Sequence, residues 1–192
     1  MKIYLIRHGE SQSNYDKKNG NDYFCGQLDV SLTEKGTHSA QLLQHYFEKQ
    51  KIDYIYLSDL TRTRQTYNAI FDKDIPAHVT SLLRERSLGA FEGVKVKEIE
   101  DNPDYELYFN DDNYRSFRHS FTQKAPEGES YRDVLNRVEQ FFEEEIDTSL
   151  ESIVIVAHQV VIRCILVYLG YETEETAVDK KIENCVPIEV EK

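Results

Sequence analysis

The chain has 192 residues, 40% of them hydrophobic and 30% charged, which predicts one globular domain over residues 1–192 and excludes a disordered or repetitive protein. Its net charge of -12 makes the surface as a whole repel polyanions, so we expect neither nucleic acid nor an anionic membrane as a partner. Any anion must therefore bind at a local cluster of basic side chains.

The cysteines and the apolar runs indicate the compartment. Cys25, Cys164 and Cys185 are widely spaced and match neither a disulfide pattern nor a metal-binding spacing, which predicts reduced thiols. The first apolar run covers only residues 3–6, too few for a signal peptide, and no later run could span a bilayer. We therefore expect a cytoplasmic protein.

The first half of the chain predicts alternating strands and helices. Residues 2–6 and 54–57 are short apolar runs typical of buried strands. Between them, Thr33 is the candidate N-cap of a helix whose apolar face consists of Ala40, Leu43 and Phe47. A second helix is predicted from Asp59 to about Phe71. This order favours a right-handed crossover and a parallel sheet.

The second half continues the pattern. Ser130 and Asp133 resemble a capping box, and apolar residues at helical spacing follow as far as Ile146. A strand at 153–157, a helix at 160–169 and a closing strand at 186–190 complete the prediction. The fold is therefore predicted to be a three-layer α/β/α sandwich with a mainly parallel central sheet.

Residues 95–127 fit this scheme least well and are predicted to be a partly helical insertion. They mix tyrosines and phenylalanines with the basic residues Arg115, Arg118, His119 and Lys124. Open α/β sheets bind ligands at the carboxyl ends of their strands, so an insertion there would cap the active site and set specificity. A subdomain whose aromatic residues merely pack together is the alternative, and the sequence leaves both open.

Residues with reactive or charged side chains follow the predicted strands. Arg7 and His8 end the first strand, His158 follows the strand at 153–157, and Arg62 comes shortly after the strand at 54–57. If the strands are neighbours, the two histidines meet at one sheet edge, and Glu85 is a candidate carboxyl group for the same site. Each residue alone has an ordinary structural explanation, but none of those explanations predicts the combination.

This constellation suits a phosphate group. Guanidinium groups donate paired hydrogen bonds to phosphate oxygens and stay charged near neutral pH. Backbone N–H groups after Gly9 are expected to add fixed donors, as at other strand-to-helix anion sites. Because no acidic cluster has the spacing of a metal site, we expect the positive charge to come from side chains alone, with no metal and no cofactor.

The histidines predict a covalent mechanism. A neutral imidazole is a nucleophile available near pH 7. Transfer of a phosphoryl group onto His8 would divide hydrolysis into two displacements. A protonated Glu85 would give a proton to the leaving alkoxide and take one back from the attacking water.

These residues resemble the histidine phosphatase superfamily, in its phosphoglycerate mutase-like branch. The similarity runs through nearly the whole chain and is carried by these blocks: Arg7-His8-Gly9-Glu10-Ser11 with Asn14; Leu32-Thr33-Glu34-Lys35-Gly36; Ser58, Leu60, Arg62 and Thr66; Glu85 with Gly89, Glu92 and Gly93; Gly128-Glu129-Ser130; and Ala157-His158. The resemblance implies a mostly parallel sheet with helices on both faces.

The resemblance also implies residue roles. His8 would be the phosphohistidine, Glu85 the proton donor, and Arg7, Asn14, Arg62 and His158 the phosphate clamp, with no metal. The predicted catalytic residues are therefore His8, Glu85, His158, Arg7 and Arg62. The predicted substrate-binding residues are Arg7, Ser11, Asn14, Gln27, Arg62, His158 and Gln159.

Two positions depart from the family pattern. Gln159 stands where the branch commonly has Gly, and this stretch looks like the bisphosphatase half of enzymes that hydrolyse fructose 2,6-bisphosphate, where the matching Gln contacts substrate. The kinase half of those enzymes has a phosphate-binding loop, and its pattern is absent here.

Phe91 stands where many relatives have Trp, a change expected to affect packing more than chemistry.

The sequence thus predicts a metal-independent phosphatase for a small phosphorylated metabolite, such as a sugar phosphate. A phosphoglycerate mutase is the alternative enzyme, and mutases of this branch are usually longer, which favours hydrolysis. A non-catalytic phosphate-binding regulatory domain is the alternative of another class. We further hypothesise that Arg115, Arg118 or Lys124 holds a second phosphate or a carboxylate. The sequence does not give the oligomeric state.

Overall fold

A central sheet of five strands organises the fold. The computed structural model describes residues 1–71, 75–110 and 117–192, with backbone alone for 109–110. The strands are β1 (Lys2–Arg7), β2 (Tyr54–Ser58), β3 (Ala77–Thr80), β4 (Ser152–Ala157) and β5 (Ile188–Glu191). They lie in the order β3-β2-β4-β1-β5, and β5 alone runs antiparallel to its neighbour. The predicted mainly parallel sheet is confirmed.

Helices surround this sheet. In the described ranges they are α1 (Gln12–Lys18), α2 (Glu34–Gln41), α3 (Gln44–Phe47), α4 (Thr61–Ile70), α5 (Val96–Glu100), α6 (Glu106–Asn110), α7 (Tyr131–Glu144), α8 (Gln159–Tyr168) and α9 (Glu174–Ala177). Short 3₁₀ turns cover Ser81–Leu83, Gly89–Phe91, Pro103–Tyr105 and Phe117–His119. The capping box predicted at Ser130 and Asp133 opens α7.

The alternation of side chains along the strands separates two hydrophobic cores. Ile3 and Leu5 of β1 point to one face, where they pack with residues of α7 and α8. Tyr4 and Ile6 point to the other face, where they pack with residues of α2, α3 and α4. Because successive strand residues face opposite sides, one strand serves both cores. The predicted three-layer sandwich is confirmed.

Several predicted boundaries are corrected. The helix beginning after Thr33 is not continuous to Phe47, because α2 ends at Gln41 and a turn at Leu42 and Leu43 separates it from α3. Phe47 packs on Tyr4 and Phe71. The closing strand begins two residues later than predicted, since Pro187 has no N–H group to donate to the sheet.

The elements β3, α1 and the short α9 were not predicted. β3 has three exposed residues among four and therefore no apolar run. α1 has no apolar periodicity either, and its only sequence signal is the capping box in which Ser11 and Asn14 bond each other's backbone N–H groups.

Residues 95–127 are partly helical and share a hydrophobic cluster with Phe24 and Phe91. Phe91, Ile99 and Phe117 are buried there, and Tyr105 and Tyr108 pack on Phe91 edge to face. For these aromatic residues the alternative interpretation holds, since their role is packing.

A backbone contact fixes the loop that follows β1 against the first turn of α2. A Cβ at Gly36 would lie 2.1 Å from the carbonyl oxygen of Glu10, and one at Gly9 would lie 2.4 Å from the oxygen of Gly36. Because the obstructing atoms are backbone, no side-chain rotation could relieve the clash. Both glycines are therefore required for the loop next to His8 to hold its place.

We predict that Gly36→Ala lowers the free energy of unfolding by about 1–3 kcal/mol, the usual cost of overpacking. The sign of this change distinguishes a backbone clash from helix propensity alone, because Ala in a helix is otherwise favoured over Gly by about 1 kcal/mol. Urea unfolding measures the change, and Lys35→Ala at the exposed neighbouring position is the control. A stabilised Gly36→Ala protein would contradict the backbone contact.

Candidate active site

The two histidines lie side by side at the carboxyl ends of neighbouring strands. β1 and β4 pair in parallel with Arg7 opposite Ala157, so His8 and His158 follow at the same level. The N–H of His8 donates to the carbonyl of Ala157 (3.1 Å), and the two ring centroids are 5.2 Å apart. Both residues are buried. The strand pairing on which the sequence prediction depended is therefore present.

A hydrogen bond fixes the tautomer of His8. Its Nδ1 lies 2.7 Å from the carbonyl oxygen of Gly9. Since a carbonyl oxygen only accepts, a neutral His8 carries its proton on Nδ1. Its Nε2 then keeps a free lone pair, as a nucleophilic imidazole requires.

His158 has the opposite tautomer. Nε of Arg62 donates to Nδ1 of His158 (3.2 Å), so the proton of a neutral His158 is on Nε2. Among the described residues, this buried Nε2 has no hydrogen-bond partner, and neither does the buried Nε of Arg7. Buried polar groups are normally satisfied. Two unsatisfied donors at one sheet edge therefore indicate a place for an acceptor.

Backbone carbonyl groups hold the two predicted arginines. Arg7 donates through Nη1 to the carbonyl of Ile182 (2.7 Å). Arg62 donates to the carbonyls of Leu28 (2.7 Å) and Gly26 (3.0 Å). A carbonyl oxygen orients a guanidinium without neutralising its charge, so this charge stays available to an anion.

A third arginine was missed by the sequence prediction. Arg163 is buried and lines the same cleft. It donates to the carbonyl of Lys180 (2.8 Å) and to the hydroxyl of Tyr131 (2.7 Å). The available signal was its position four residues after Gln159, one turn along α8 and on the same helix face.

Glu85 reaches the cleft from the loop after β3. Its Oε1 accepts from the N–H of Arg86 (2.8 Å), and its Oε2 lies 3.4 Å from the N–H of Val160. Gln27 was predicted to bind substrate, but its side chain donates instead to the backbone carbonyl of Glu85 (2.9 Å), as does Arg137 (3.2 Å). Gln27 thus supports the Glu85 backbone and is not among the residues that line the cleft.

The backbone N–H groups that follow Gly9 were expected to donate to an anion, and those of Ser11 and Gln12 are instead bonded within the protein. Ser11, Asn14 and Gln159, which were predicted to bind substrate, all line the cleft. The backbone N–H of Gly9 donates to Oγ1 of Thr66 (3.0 Å), and that of Ser11 donates to Oδ1 of Asn14 (3.2 Å). These two N–H groups are therefore occupied within the protein, by side chains of α4 and α1.

The cleft has a volume of about 360 Å³ and brings cations from the sheet edge and the insertion together. Arg118 and His119 of the insertion line it, and Arg86 holds this segment by donating to the carbonyls of Phe117 (2.8 Å) and Arg118 (2.9 Å). Lys124 instead pairs with Asp133 (3.2 Å) and is not among the lining residues. Arg115 lies outside the described residues.

The charges of this cleft shift the pKa values of the histidines. Burial, followed by the positive charges of Arg62 and Arg7, holds the pKa of His8 well below its ordinary value of 6.5. Burial and Arg62 likewise hold the pKa of His158 well below that value. Both imidazoles are therefore neutral at pH 7 in the free protein, in the tautomers derived above.

In the part of the chain that the structure describes, no group of three or more His, Cys, Asp or Glu residues is placed to hold a metal ion. No helix among these residues is long and apolar enough to cross a membrane.

Comparison with known proteins gives the family. A family model described as the histidine phosphatase superfamily, branch 1, matches residues 3–191. The chain belongs to this superfamily. The resemblance inferred from the sequence blocks is confirmed, and the chain is an enzyme of the phosphoglycerate mutase-like type.

The curated relatives of this histidine phosphatase include mutases and phosphatases. It is 29% identical to 2,3-bisphosphoglycerate-dependent phosphoglycerate mutase 2 of Gloeobacter violaceus, over 98% of this chain and 84% of the relative. It is 29% identical to the broad-specificity phosphatase YOR283W of Saccharomyces cerevisiae, over 91% of this chain and 73% of the relative. It is 31% identical to human 6-phosphofructo-2-kinase/fructose-2,6-bisphosphatase 4, over 86% of this chain but only 32% of the relative.

Solved structures give the same fold. The alpha-ribazole phosphatase of Shigella flexneri superposes with a TM-score of 0.82 at 24% identity, covering 100% of this chain and 90% of that one. At this identity the similarity concerns the fold alone.

We predict that neither His8 nor His158 becomes protonated in the free histidine phosphatase between about pH 6.5 and 8, because burial and the arginines disfavour the imidazolium. Inorganic phosphate should raise both pKa values, since its negative charge favours the charged rings. Nitrogen-detected NMR of the imidazoles measures this, with His8→Ala assigning the His8 signals. A free-enzyme His8 that titrates above pH 6.5 would contradict the derived electrostatics.

Proposed function

We propose that this enzyme is a metal-independent phosphatase that hydrolyses small phosphomonoesters, including sugar phosphates, through a phosphohistidine on His8. The observation that carries the proposal is the combination at one sheet edge of a free imidazole lone pair with two buried, unsatisfied donors. The lone pair belongs to Nε2 of His8, and the donors are Nε of Arg7 and Nε2 of His158. A phosphate group satisfies both donors and presents its phosphorus to the nucleophile.

In the first step, Nε2 of His8 attacks the phosphorus of the bound ester. A P–N bond forms and the ester P–O bond breaks, while Arg7, Arg62, Asn14 and His158 hold the phosphoryl oxygens. The departing alkoxide takes a proton from the carboxyl group of Glu85. The Nδ1–H bond to Gly9 stabilises the positive charge that develops on the ring.

In the second step, water attacks the phosphohistidine. Glu85, now a carboxylate, takes a proton from this water as the new P–O bond forms and the P–N bond breaks. Inorganic phosphate leaves, and both His8 and Glu85 return to their starting states. The arginines supply the positive charge in both steps, so the mechanism needs no metal ion.

We further propose that the substrate carries a second anionic group, bound by Arg118. Of the three cations first considered, Arg118 lines the cleft, with its guanidinium 4.5 Å from the centre of the Phe24 ring. Lys124 is paired with Asp133 instead. The names of the relatives agree with this substrate class, since fructose 2,6-bisphosphate and phosphoglycerates each carry a second anion.

The second candidate function is that of a phosphoglycerate mutase, favoured by the similarity to the Gloeobacter violaceus mutase. A mutase returns the phosphoryl group from His8 to the substrate, whereas a phosphatase gives it to water. The two functions share the first chemical step and differ in the acceptor of the second.

The test is phosphate release from a panel of phosphomonoesters in the presence of a chelator. The panel contains fructose 2,6-bisphosphate, 2- and 3-phosphoglycerate and several sugar monophosphates. We expect release by the parent, a covalent phosphoenzyme after acid-free quenching, and loss of both in His8→Ala. Interconversion of the phosphoglycerates faster than release would assign the mutase. A parent that binds phosphate esters without turning any of them over would overturn the proposal.

We predict that Arg118→Ala lowers kcat/KM for a sugar bisphosphate about 10-fold or more relative to the matching monophosphate. A hydrogen bond to a charged group contributes about 1.5–3 kcal/mol, which corresponds to that factor. Lys124→Ala is the matched control, because it removes an equal charge that points away from the cleft. An unchanged preference in Arg118→Ala, or an equal change in Lys124→Ala, rules out the assignment.

A further inference from the structure

A segment far from every recognised motif reaches the active site from the side of β5. This closing segment, residues 180–185, connects α9 to β5. The carbonyls of Lys180 and Ile182 accept from Arg163 and Arg7, as described above. Asn184 forms an isolated parallel bridge with Arg7, and the N–H of Cys185 donates to the carbonyl of Arg7 (3.0 Å). The segment therefore runs beside the end of β1.

We propose that Asn184 is a positioning residue of the active site, orienting both His8 and Asn14 for phosphate. The proposal rests on the proposed function, because it assigns a task within the same phosphate site. Its Nδ2 donates to the backbone carbonyl of His8 (2.7 Å) and lies 3.4 Å from Oδ1 of Asn14. An amide NH₂ group has two protons, so one side chain serves both acceptors.

The first contact fixes the peptide unit between His8 and Gly9. Asn184 holds the carbonyl oxygen of this unit, and Oγ1 of Thr66 accepts from its N–H (3.0 Å). Side chains from two distant elements thus hold both ends of one peptide plane. The next carbonyl, that of Gly9, accepts from Nδ1 of His8 and sets its tautomer. Rotation of the held plane would move that carbonyl and with it the nucleophilic Nε2.

The second contact fixes the amide of Asn14. Its Oδ1 accepts from the backbone N–H of Ser11 (3.2 Å) and faces Nδ2 of Asn184. With the oxygen directed to these two donors, the Nδ2 group is left for the cleft that Asn14 lines. An NH₂ group only donates, so this orientation presents the correct end of the amide to a phosphate oxygen.

The backbone around Asn184 supports this role. Cys185 has a φ of 55°, in the left-handed region that residues with a Cβ seldom adopt. Such a conformation persists where the surrounding structure enforces it, and it occurs preferentially at functional sites. With this backbone conformation, the N–H of Cys185 donates to the carbonyl of Arg7 while the side chain of Asn184 donates to the carbonyl of His8.

The test compares Asn184→Leu with the parent. Leu has a similar branched shape but no donor, so it keeps the volume and removes both contacts. We expect kcat/KM for a phosphomonoester to fall by about 10²-fold, as for other small misplacements of reacting groups. We also expect weaker inhibition by orthovanadate and a melting temperature close to that of the parent. The matched control is Glu183→Gln, at an exposed neighbouring position, which should retain parental kinetics.

A double-mutant cycle separates the two contacts. In an Asn14→Ala background, the loss caused by Asn184→Leu should be smaller than in the parent, because part of it acts through the Asn14 amide. Thr66→Val removes the opposite clamp of the same peptide plane and should reproduce the kinetic loss, even if Asn184→Leu fails to fold.

Parental kcat/KM and vanadate inhibition in Asn184→Leu would overturn the proposal, as would a loss that is fully additive with that of Asn14→Ala. So would parental kinetics in Thr66→Val. An unmutated enzyme that neither binds vanadate nor releases phosphate would instead overturn the proposed function, so the two failures are distinguishable.

Discussion

The parallel pairing of β1 with β4 determines where the active site lies and how it is built. The register sets Arg7 opposite Ala157, and the next residue of each strand is a histidine. Because the carboxyl ends of parallel strands meet at one sheet edge, no further folding is needed to bring the two rings together. The strands are buried in both cores, so a slip of one residue would turn every apolar side chain to the wrong face. Catalytic geometry and hydrophobic packing thus depend on the same register.

The site concentrates positive charge inside an acidic protein. Arg7, Arg62 and Arg163 direct their guanidinium groups to carbonyl oxygens, a hydroxyl and a neutral imidazole. Burying such charges is costly, and their effect on the two histidines favours the neutral imidazoles. The pKa values of the two histidines lie below the value of an unfolded chain. Their neutral forms therefore leave the free energy of unfolding unchanged above about pH 6.5, and this free energy falls as the pH falls below that value. The same arrangement supports the proposal that His8 is the nucleophile and that an anion binds beside it.

The insertion combines the two roles that the sequence left open. Its aromatic residues form a hydrophobic cluster around Phe91 and Phe117, which gives the segment a rigid base. Arg86 links this base to the cleft by holding the carbonyls of Phe117 and Arg118. Packing therefore positions Arg118 and His119 at the cleft.

The sequence by itself determined the fold class and the strand ends at which most residues of the candidate site lie. Apolar runs marked β1, β2 and β4, and Arg7, His8, Arg62 and His158 followed them, because chemistry at strand ends is local in the chain. Local patterns did not reveal β3, which is exposed, or α1, which has no apolar face. The contacts of Gln27 with the Glu85 loop, of Arg163 with Tyr131 and of Asn184 with His8 were decided by tertiary structure alone. Each joins residues dozens of positions or more apart through a single hydrogen bond, and a pattern read along the chain carries no signal for such a contact.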